Sequence, residues 1–308
     1  MLNKKIFIPV ANPTVGIEEA NSVHKQIKSG WFSMGKKVKE FEKKVEKYIG
    51  VKHAIAINNG TSALDAVLTA LNITEKDEVI VPSLTYISTA NVVSYKKAKL
   101  VLCDSEEDTF NVSYESLISK ITKKTKLIIV TDLKGMPVDY DKYIKLSKKM
   151  KIPIIADSAE SFGAEYKHRK VGSQLLAHTF SFFANKNITT GGEGGMISTS
   201  NLDIWSSICS YKDHGKNFKK LSDNKDFKSF RWIHDSLGTN MRLTEMQSAI
   251  GRVQLKFLDS WQQKRSQNAL FLANYLKDIS SIRIPLPDKN IKHAWYKFYC
   301  KLNFSKLY

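Results

Sequence analysis

Five short apolar runs recur through the first half of the chain: "HAIAI", "DEVIVP", "KLVLCD", "KLIIVTDL" and "IPIIAD". Continuous apolar runs, rather than alternating ones, suit strands that are covered on both faces. The stretches between them, such as "TYISTANVVSYKKA" and "DYDKYIKLSKKM", have helical spacing. Strands of this kind joined by helices leave few architectures open, and an α/β fold with a largely parallel sheet is the expectation. The first unit shows the pattern most sharply. A strand over Ala54–Ile57 meets Asn59, Gly60, Thr61 and Ser62 and enters a helix rich in Ala and Leu. Later, "HTFSFF" and "GGMISTS" lie too close together for a crossover helix, so a change of strand direction is expected there.

The flanks are read more coarsely. The first residues form a lead-in arm, followed by helical spacing up to Gly30 and a second helix from about Lys37 to Tyr48. A helix is expected from Asp203 to about Ser210. The polar stretch from Lys212 to Trp232 reads as a long loop, a kind of segment that usually has a function. Beyond Thr244 the spacing is helical for more than thirty residues, with Met246, Ile250, Val253 and Phe257 on one apolar stripe. That length predicts a kink or break. "SIRIPLPDKN" reads as a linker or strand and "AWYKFYCKLN" as an edge strand. The expected division is a large domain over 1–240 and, over 241–308, linking helices and the start of a small C-terminal domain.

Charge and cysteine usage narrow the function classes. The net charge of +18 suits polyanions or phosphorylated small molecules. The lysines are spread along the chain, however, and mix with glutamate as in "KKVKEFEKKVEKYI", the composition of a solvated helix face. No nucleic-acid recognition motif accompanies them. Cys103, Cys209 and Cys300 are odd in number and widely spaced, which argues against a disulfide framework or a zinc cluster, and no metal is expected. Neither a signal peptide nor a membrane-spanning run is read, and a reducing cytoplasm fits.

One lysine stands out. "SFFANKNITTGGEGGM" sets Lys186 between an aromatic run and four glycines. A lysine amine does chemistry by closing onto a carbonyl, and the aldehyde of pyridoxal phosphate is one such partner. That cofactor makes further demands. Its pyridine nitrogen calls for a carboxylate, its phosphate for helix N-terminal amides and hydroxyls, and its ring for a flat neighbour. Asp157 ends the "IPIIAD" strand, at the edge where α/β sheets hold ligands. Gly60, Thr61 and Ser62 open a helix, Ser181 is a further hydroxyl, and Tyr86 follows a strand. Each has a plainer reading: Asp157, Thr61 and Ser62 as caps, Ser181 as a strand residue, Tyr86 as a core aromatic, Lys186 as a surface side chain.

The ordered set of "SGWFSMGKKVKEFEKKVEKYIG", "INNGTSALDAVLTAL", "VIVPSLTYISTANVV", "ADSAESFGAEY", "SFFANKNITTGGEGGM" and "LGTNMRLTEMQSAIGRVQL" resembles the landmarks of the DegT/DnrJ/EryC1/StrS family of pyridoxal phosphate-dependent sugar-nucleotide aminotransferases. The resemblance runs along nearly the whole chain. It implies a fold-type-I architecture with a mostly parallel seven-stranded sheet flanked by helices. It implies that Lys186 forms the Schiff base and shuttles the proton, and that Asp157 pairs with the pyridine nitrogen. Glu160 matches a position near the ring hydroxyl, and Tyr86 the stacking aromatic. Gly60, Thr61, Ser62 and Ser181 fall at the phosphate, and Asn240 reaches the phosphate of a neighbouring subunit. A homodimer with shared sites, L-glutamate as amino donor and a nucleotide-linked keto-deoxy sugar as acceptor are also implied, with a role in polysaccharide or amino-sugar synthesis. The "SGWFSMG" opening is like that of perosamine-type synthases, and Lys186 stands where a dehydratase branch carries histidine. Two departures are visible: "TTGGEGG" is one glycine longer than the usual pattern, and family chains continue for several dozen residues past "HAWYKFYCKLN". An impaired or regulatory homologue acting as a binding or scaffold protein is the alternative.

Overall fold

The computed structural model describes residue 9 and residues 11–217 and 233–306. Of the polar stretch 212–232, residues 218–232 lie outside the described residues. The chain opens with α1 (Ile17–Lys28) and α2 (Lys36–Ile49), then alternates β1 (His53–Ile57), α3 (Gly60–Ala70), β2 (Glu78–Pro82), α4 (Ser88–Tyr95), β3 (Lys99–Cys103), α5 (Tyr114–Ser119), β4 (Thr125–Thr131), α6 (Tyr140–Met150) and β5 (Ile154–Asp157). A small hairpin, β6 (Glu165–Tyr166) and β7 (Arg169–Lys170), precedes β8 (His178–Ser181), β9 (Gly195–Thr199) and α7 (Leu202–Tyr211). After α8 (Glu245–Leu276) come three two-residue strands, β10 (Ile282–Arg283), β11 (Ile291–Lys292) and β12 (Lys301–Leu302).

Seven strands form one sheet in the order β1-β9-β8-β5-β4-β2-β3. The pairs β2–β3, β2–β4, β4–β5 and β5–β8 are parallel, whereas β9 runs antiparallel to both β8 and β1. The reversal falls where the sequence left no room for a crossover. Alternate residues of the strands feed two separate cores, which is why the runs are apolar at every position. Ile55, Ile57, Val79, Val81, Ile129 and Ile155 pack with α3, α4 and α7. Ala54, Ala56, Ile80, Val130, Ile154 and Phe180 pack with α2, α6 and α8.

Strand β1 lies at one edge of the sheet, and side chains cover its outer hydrogen-bonding groups. The Ala54 and Ala56 amides donate to Glu46 Oε1 (3.2 Å) and Glu42 Oε1 (2.9 Å) of α2. The Ala56 carbonyl accepts from Lys212 Nζ at 2.9 Å.

Three expectations for the C-terminal part change. The stretch after Thr244 is one unbroken helix of 32 residues. A capping box between Thr244 and Gln247 starts it, and it packs along α1 and α2, which supply the continuous support a long helix needs. The stripe of Met246, Ile250, Val253 and Phe257 is not its most buried face: only Val253 is buried, while Glu245, Ser248, Ala249, Gln254, Leu258 and Gln262 lie deeper. Glu245, Gln254 and Gln262 take that face because they bond to neighbouring backbone. Glu245 accepts from the Gly35, Lys37 and Val38 amides at 3.0, 2.9 and 2.9 Å and so caps the N-terminus of α2. Third, "AWYKFYCKLN" is strand only at Lys301–Leu302; the rest is irregular and bonds to the turn after β4. There the Ala294 amide donates to Gly135 O (2.8 Å) and the Lys297 amide to Lys134 O (3.3 Å).

Cys103, Cys209 and Cys300 are unpaired. Among the described residues no helix is long and apolar enough to cross a membrane.

Candidate active site

A cavity of about 540 Å³ opens at the C-terminal ends of β4, β5 and β8 and at the N-terminus of α3. Eight of the nine residues singled out in the sequence line it: Gly60, Thr61, Ser62, Tyr86, Asp157, Glu160, Ser181 and Lys186. The ninth, Asn240, does not. It is exposed, bridges to Asp213, and its Oδ1 accepts from Arg242 Nε at 3.1 Å.

The loop that carries Lys186 is held from both sides. The Lys186 amide donates to Phe183 O (3.0 Å), and the Ala184 amide to Gly192 O (3.2 Å). Asn187 Nδ2 donates to Phe162 O at 2.9 Å, and Arg265 Nη2 to Asn187 O at 3.0 Å. Gly191 and Gly192 both have positive φ, +92° and +129°, so the longer glycine run closes the loop in a conformation that side chains resist. The Lys186 amine lies 3.7 Å from Glu160 Oε1 and 4.6 Å from the centre of the Tyr296 ring. Burial pushes this amine below the usual lysine range, against the pull of Glu160 and Asp157.

Asp157 ends β5 and is 5% exposed. Its Oδ2 accepts from Thr89 Oγ1 at 2.7 Å and its Oδ1 from the Ala159 amide at 3.2 Å. Burial raises its carboxyl above the usual range, opposed by these bonds and by Lys186. Thr89 is reached in turn by Thr85 (2.8 Å), and Thr85 by Thr131 (3.2 Å). At the other end of the cavity, Asn59 caps α3 by accepting from the Ser62 amide at 2.8 Å. The first amides of the helix have no carbonyl one turn earlier to bond to and point out of its end. Thr61 Oγ1 lies 2.7 Å from Ser88 Oγ. Tyr86 is 72% exposed at the mouth rather than a core aromatic.

Tyr86 is therefore not a core aromatic and Lys186 not a surface side chain, whereas Ser181 is the last residue of β8 and Asp157 does accept from a nearby amide. All of them nonetheless line one cavity. It also takes in residues that the sequence did not single out: Thr85, Ser88, Thr131, Asn185, Tyr296 and Lys297. Tyr296 Oη donates to Asn185 Oδ1 at 3.3 Å, and burial pushes its phenol up to about 12. The one available signal was the dense mix of aromatic and amine side chains in "AWYKFY".

Glycine at 195 is demanded by this site. Gly195 pairs with Ile57 on one side and Ser181 on the other. A Cβ there would lie 2.6 Å from Asn59 O and 3.0 Å from Gly60 N, both backbone atoms that cannot swing away. Gly195→Ala is expected to displace the loop that opens α3 and to cost about 1–3 kcal/mol. Denaturant unfolding checks the cost, and a fall in affinity for a phosphate-bearing ligand checks the displacement.

The profile of the DegT/DnrJ/EryC1/StrS aminotransferase family matches residues 13–307. The GDP-perosamine synthase of Escherichia coli O157:H7 is 36% identical over 94% of this chain and 76% of its own. The aminotransferase from Psychrobacter cryohalolentis superposes with a TM-score of 0.90 at 36% identity, over 95% of this chain and 77% of its own. The Streptococcus pneumoniae protein Spr1654, in its PLP-form, superposes with a TM-score of 0.87 at 26% identity, over 96% and 78% of the two chains.

Proposed function

Because the chain belongs to the DegT/DnrJ/EryC1/StrS aminotransferase family, we propose that it moves an amino group from L-glutamate to a nucleotide-linked keto-deoxy sugar, with pyridoxal phosphate held in the cavity at the sheet edge. The observation that carries this reading is the meeting of the Lys186 amine and the Asp157 carboxyl in one cavity that ends at a helix N-terminus. The residues present fit the cofactor. Asp157 is a buried carboxyl whose bonded partners are a hydroxyl and an amide, and a cation brought against it favours its charged form. The amides that open α3, with the hydroxyls of Thr61, Ser62 and Ser181, suit a phosphate. Gly60 leaves that approach clear: a Cβ on it would lie 3.0 Å from Ser181 Cβ.

When bound, pyridoxal phosphate supplies a carbonyl for the amine and a ring that takes up an electron pair. The chain's own residues do the rest. Lys186, held below the ordinary lysine range, offers more of its neutral, nucleophilic form at neutral pH. The same amine removes a proton from the donor's α-carbon and returns it. Asp157, oriented by Thr89 and Ala159, would hold the positive pyridine nitrogen. Glu160 would serve the ring hydroxyl and Tyr86, at the mouth, would cover the ring, while the Tyr296 ring lies over the Lys186 amine and shields it from water.

The likeness to the GDP-perosamine synthase of Escherichia coli favours a GDP-linked sugar as acceptor. We further propose a cytoplasmic homodimer in which Asn240, exposed and outside its own cavity, completes the partner's phosphate site. The net charge of +18 favours a diphosphate substrate, so the Michaelis constant is expected to rise with salt.

The test is incubation with pyridoxal phosphate, L-glutamate and a panel of keto sugar nucleotides, with 2-oxoglutarate measured. Release that needs both the cofactor and a particular keto sugar supports the reading. A folded protein that gains no visible absorption from the cofactor and releases no 2-oxoglutarate with any sugar overturns it.

A further inference from the structure

A carboxyl that the proposed reaction does not use fastens the turn carrying Glu160 from behind. Asp132 follows β4 and is fully buried. Its Oδ2 accepts from Tyr140 Oη (2.6 Å), Ser158 Oγ (2.6 Å) and Ser161 Oγ (3.0 Å), and its Oδ1 from the Val138 amide (3.1 Å). Ser158 Oγ in turn lies 3.0 Å from His178 Nδ1. His178 Nε2 accepts from the Leu175 amide at 3.2 Å, so the proton of the neutral ring is on Nδ1. The direction of the chain follows: His178 donates to Ser158, and Ser158 donates to Asp132. Burial keeps His178 neutral by pushing it down to about 3.

The backbone around Asp132 touches the main chain at Asp157 and the carboxylate of Glu160. The Asp132 amide donates to Asp157 O at 3.0 Å. Two residues on, the Lys134 amide donates to Glu160 Oε2 at 2.6 Å. Lys134 has a φ of +58°, which a non-glycine residue adopts at a cost and which here aims its amide. The other oxygen of Glu160 is the one 3.7 Å from Lys186 Nζ.

We propose that Asp132 is a positioning residue: through Ser158, Ser161 and the turn 132–135 it holds the Glu160 carboxylate against the Lys186 amine and so sets the charge state of that amine. This rests on the reading of Lys186 as the amine that does the chemistry. Asparagine at 132 keeps the volume but puts an NH₂ group where donors converge, which frees the turn.

The test titrates Lys186 directly in the full chain without cofactor. Competitive acetylation across a pH series, read by mass spectrometry of the peptide carrying Lys186, gives the midpoint of its amine. In Asp132→Asn the midpoint is expected to fall, by about tenfold in proton concentration for one lost charge contact. Glu160→Gln moves it the same way. The double variant moves it no further than Glu160→Gln alone, because both act through one contact. If Asp132→Asn does not fold, Ser161→Ala and Tyr140→Phe each remove one donor and are expected to lower the midpoint by less. A folded Asp132→Asn, or the two milder variants together, titrating with the wild-type midpoint overturns the proposal. So does a double variant whose shift is the sum of the two. Pyridoxal phosphate is then added to the same samples. A wild-type chain that takes no colour overturns the cofactor reading, while the acetylation midpoints still decide the role of Asp132.

Discussion

Lys186→Ala is expected to cut the rate of amino transfer by about a hundred- to ten-thousandfold or more, the usual worth of a positioned acid–base group. The loss is larger still if the amine also acts as nucleophile, since two roles fall on one atom. The fold is expected to survive, because Lys186 sits in a loop whose anchors are the backbone of Phe183 and Ala184 and the side chain of Asn187. A thermal midpoint within a few degrees of the wild type, together with lost 2-oxoglutarate release, is the expected pair of results. Lys186→Arg is not expected to rescue, since a guanidinium stays charged and cannot give up its proton. Retained turnover in Lys186→Ala would remove the amine from the chemistry.

The second large effect is on stability in acid. His178 and His293 are buried, and burial pushes both down to about 3. A depressed histidine takes its proton more readily in the unfolded chain. Stability is therefore lost as pH falls below the unfolded value of about 6.5, and the loss continues towards pH 3. By pH 4 each histidine costs about 3 kcal/mol. Asp132 works the other way: burial raises it to about 6, so its protonation favours the folded chain and returns about 2 kcal/mol over the same interval. The net expectation from these three groups is a loss of about 4 kcal/mol between pH 7 and pH 4, a large part of an ordinary domain's stability. Denaturant midpoints at the two pH values check it. Equal midpoints would mean that the histidines are not held neutral by the fold.

Much of the sheet was open to reading from the chain, because strands buried on both faces leave uninterrupted apolar runs and because β8 and β9 are too close for a crossover. Lys186 stood out as an amine between an aromatic run and glycines, and Asp157 because it ends a strand, where ligands collect. That the two share a cavity depends on β8 pairing with β5, a matter of strand order that no local pattern records. The hydroxyls that reach Asp157 were missed for the same cause. Thr131 ends β4, Thr85 follows β2 and Thr89 lies in α4, and only the assembled sheet brings Thr85 to Thr131 and Thr89 to Asp157. Tyr296 and Lys297 were hidden otherwise. Their stretch looks like a strand in composition, yet its backbone bonds to the turn at Lys134 and Gly135 instead of to a ladder. The long helix after Thr244 erred in the opposite sense: length argued for a break, and the support from α1 and α2 was invisible.

The covered flank of β1 bears on assembly. A strand arriving from another molecule would find the amides of Ala54 and Ala56 already engaged by Glu46 and Glu42, and the Ala56 carbonyl by Lys212. Displacing them would break three hydrogen bonds made by charged side chains at once. Growth of the sheet into a neighbouring copy is thereby closed off at this end.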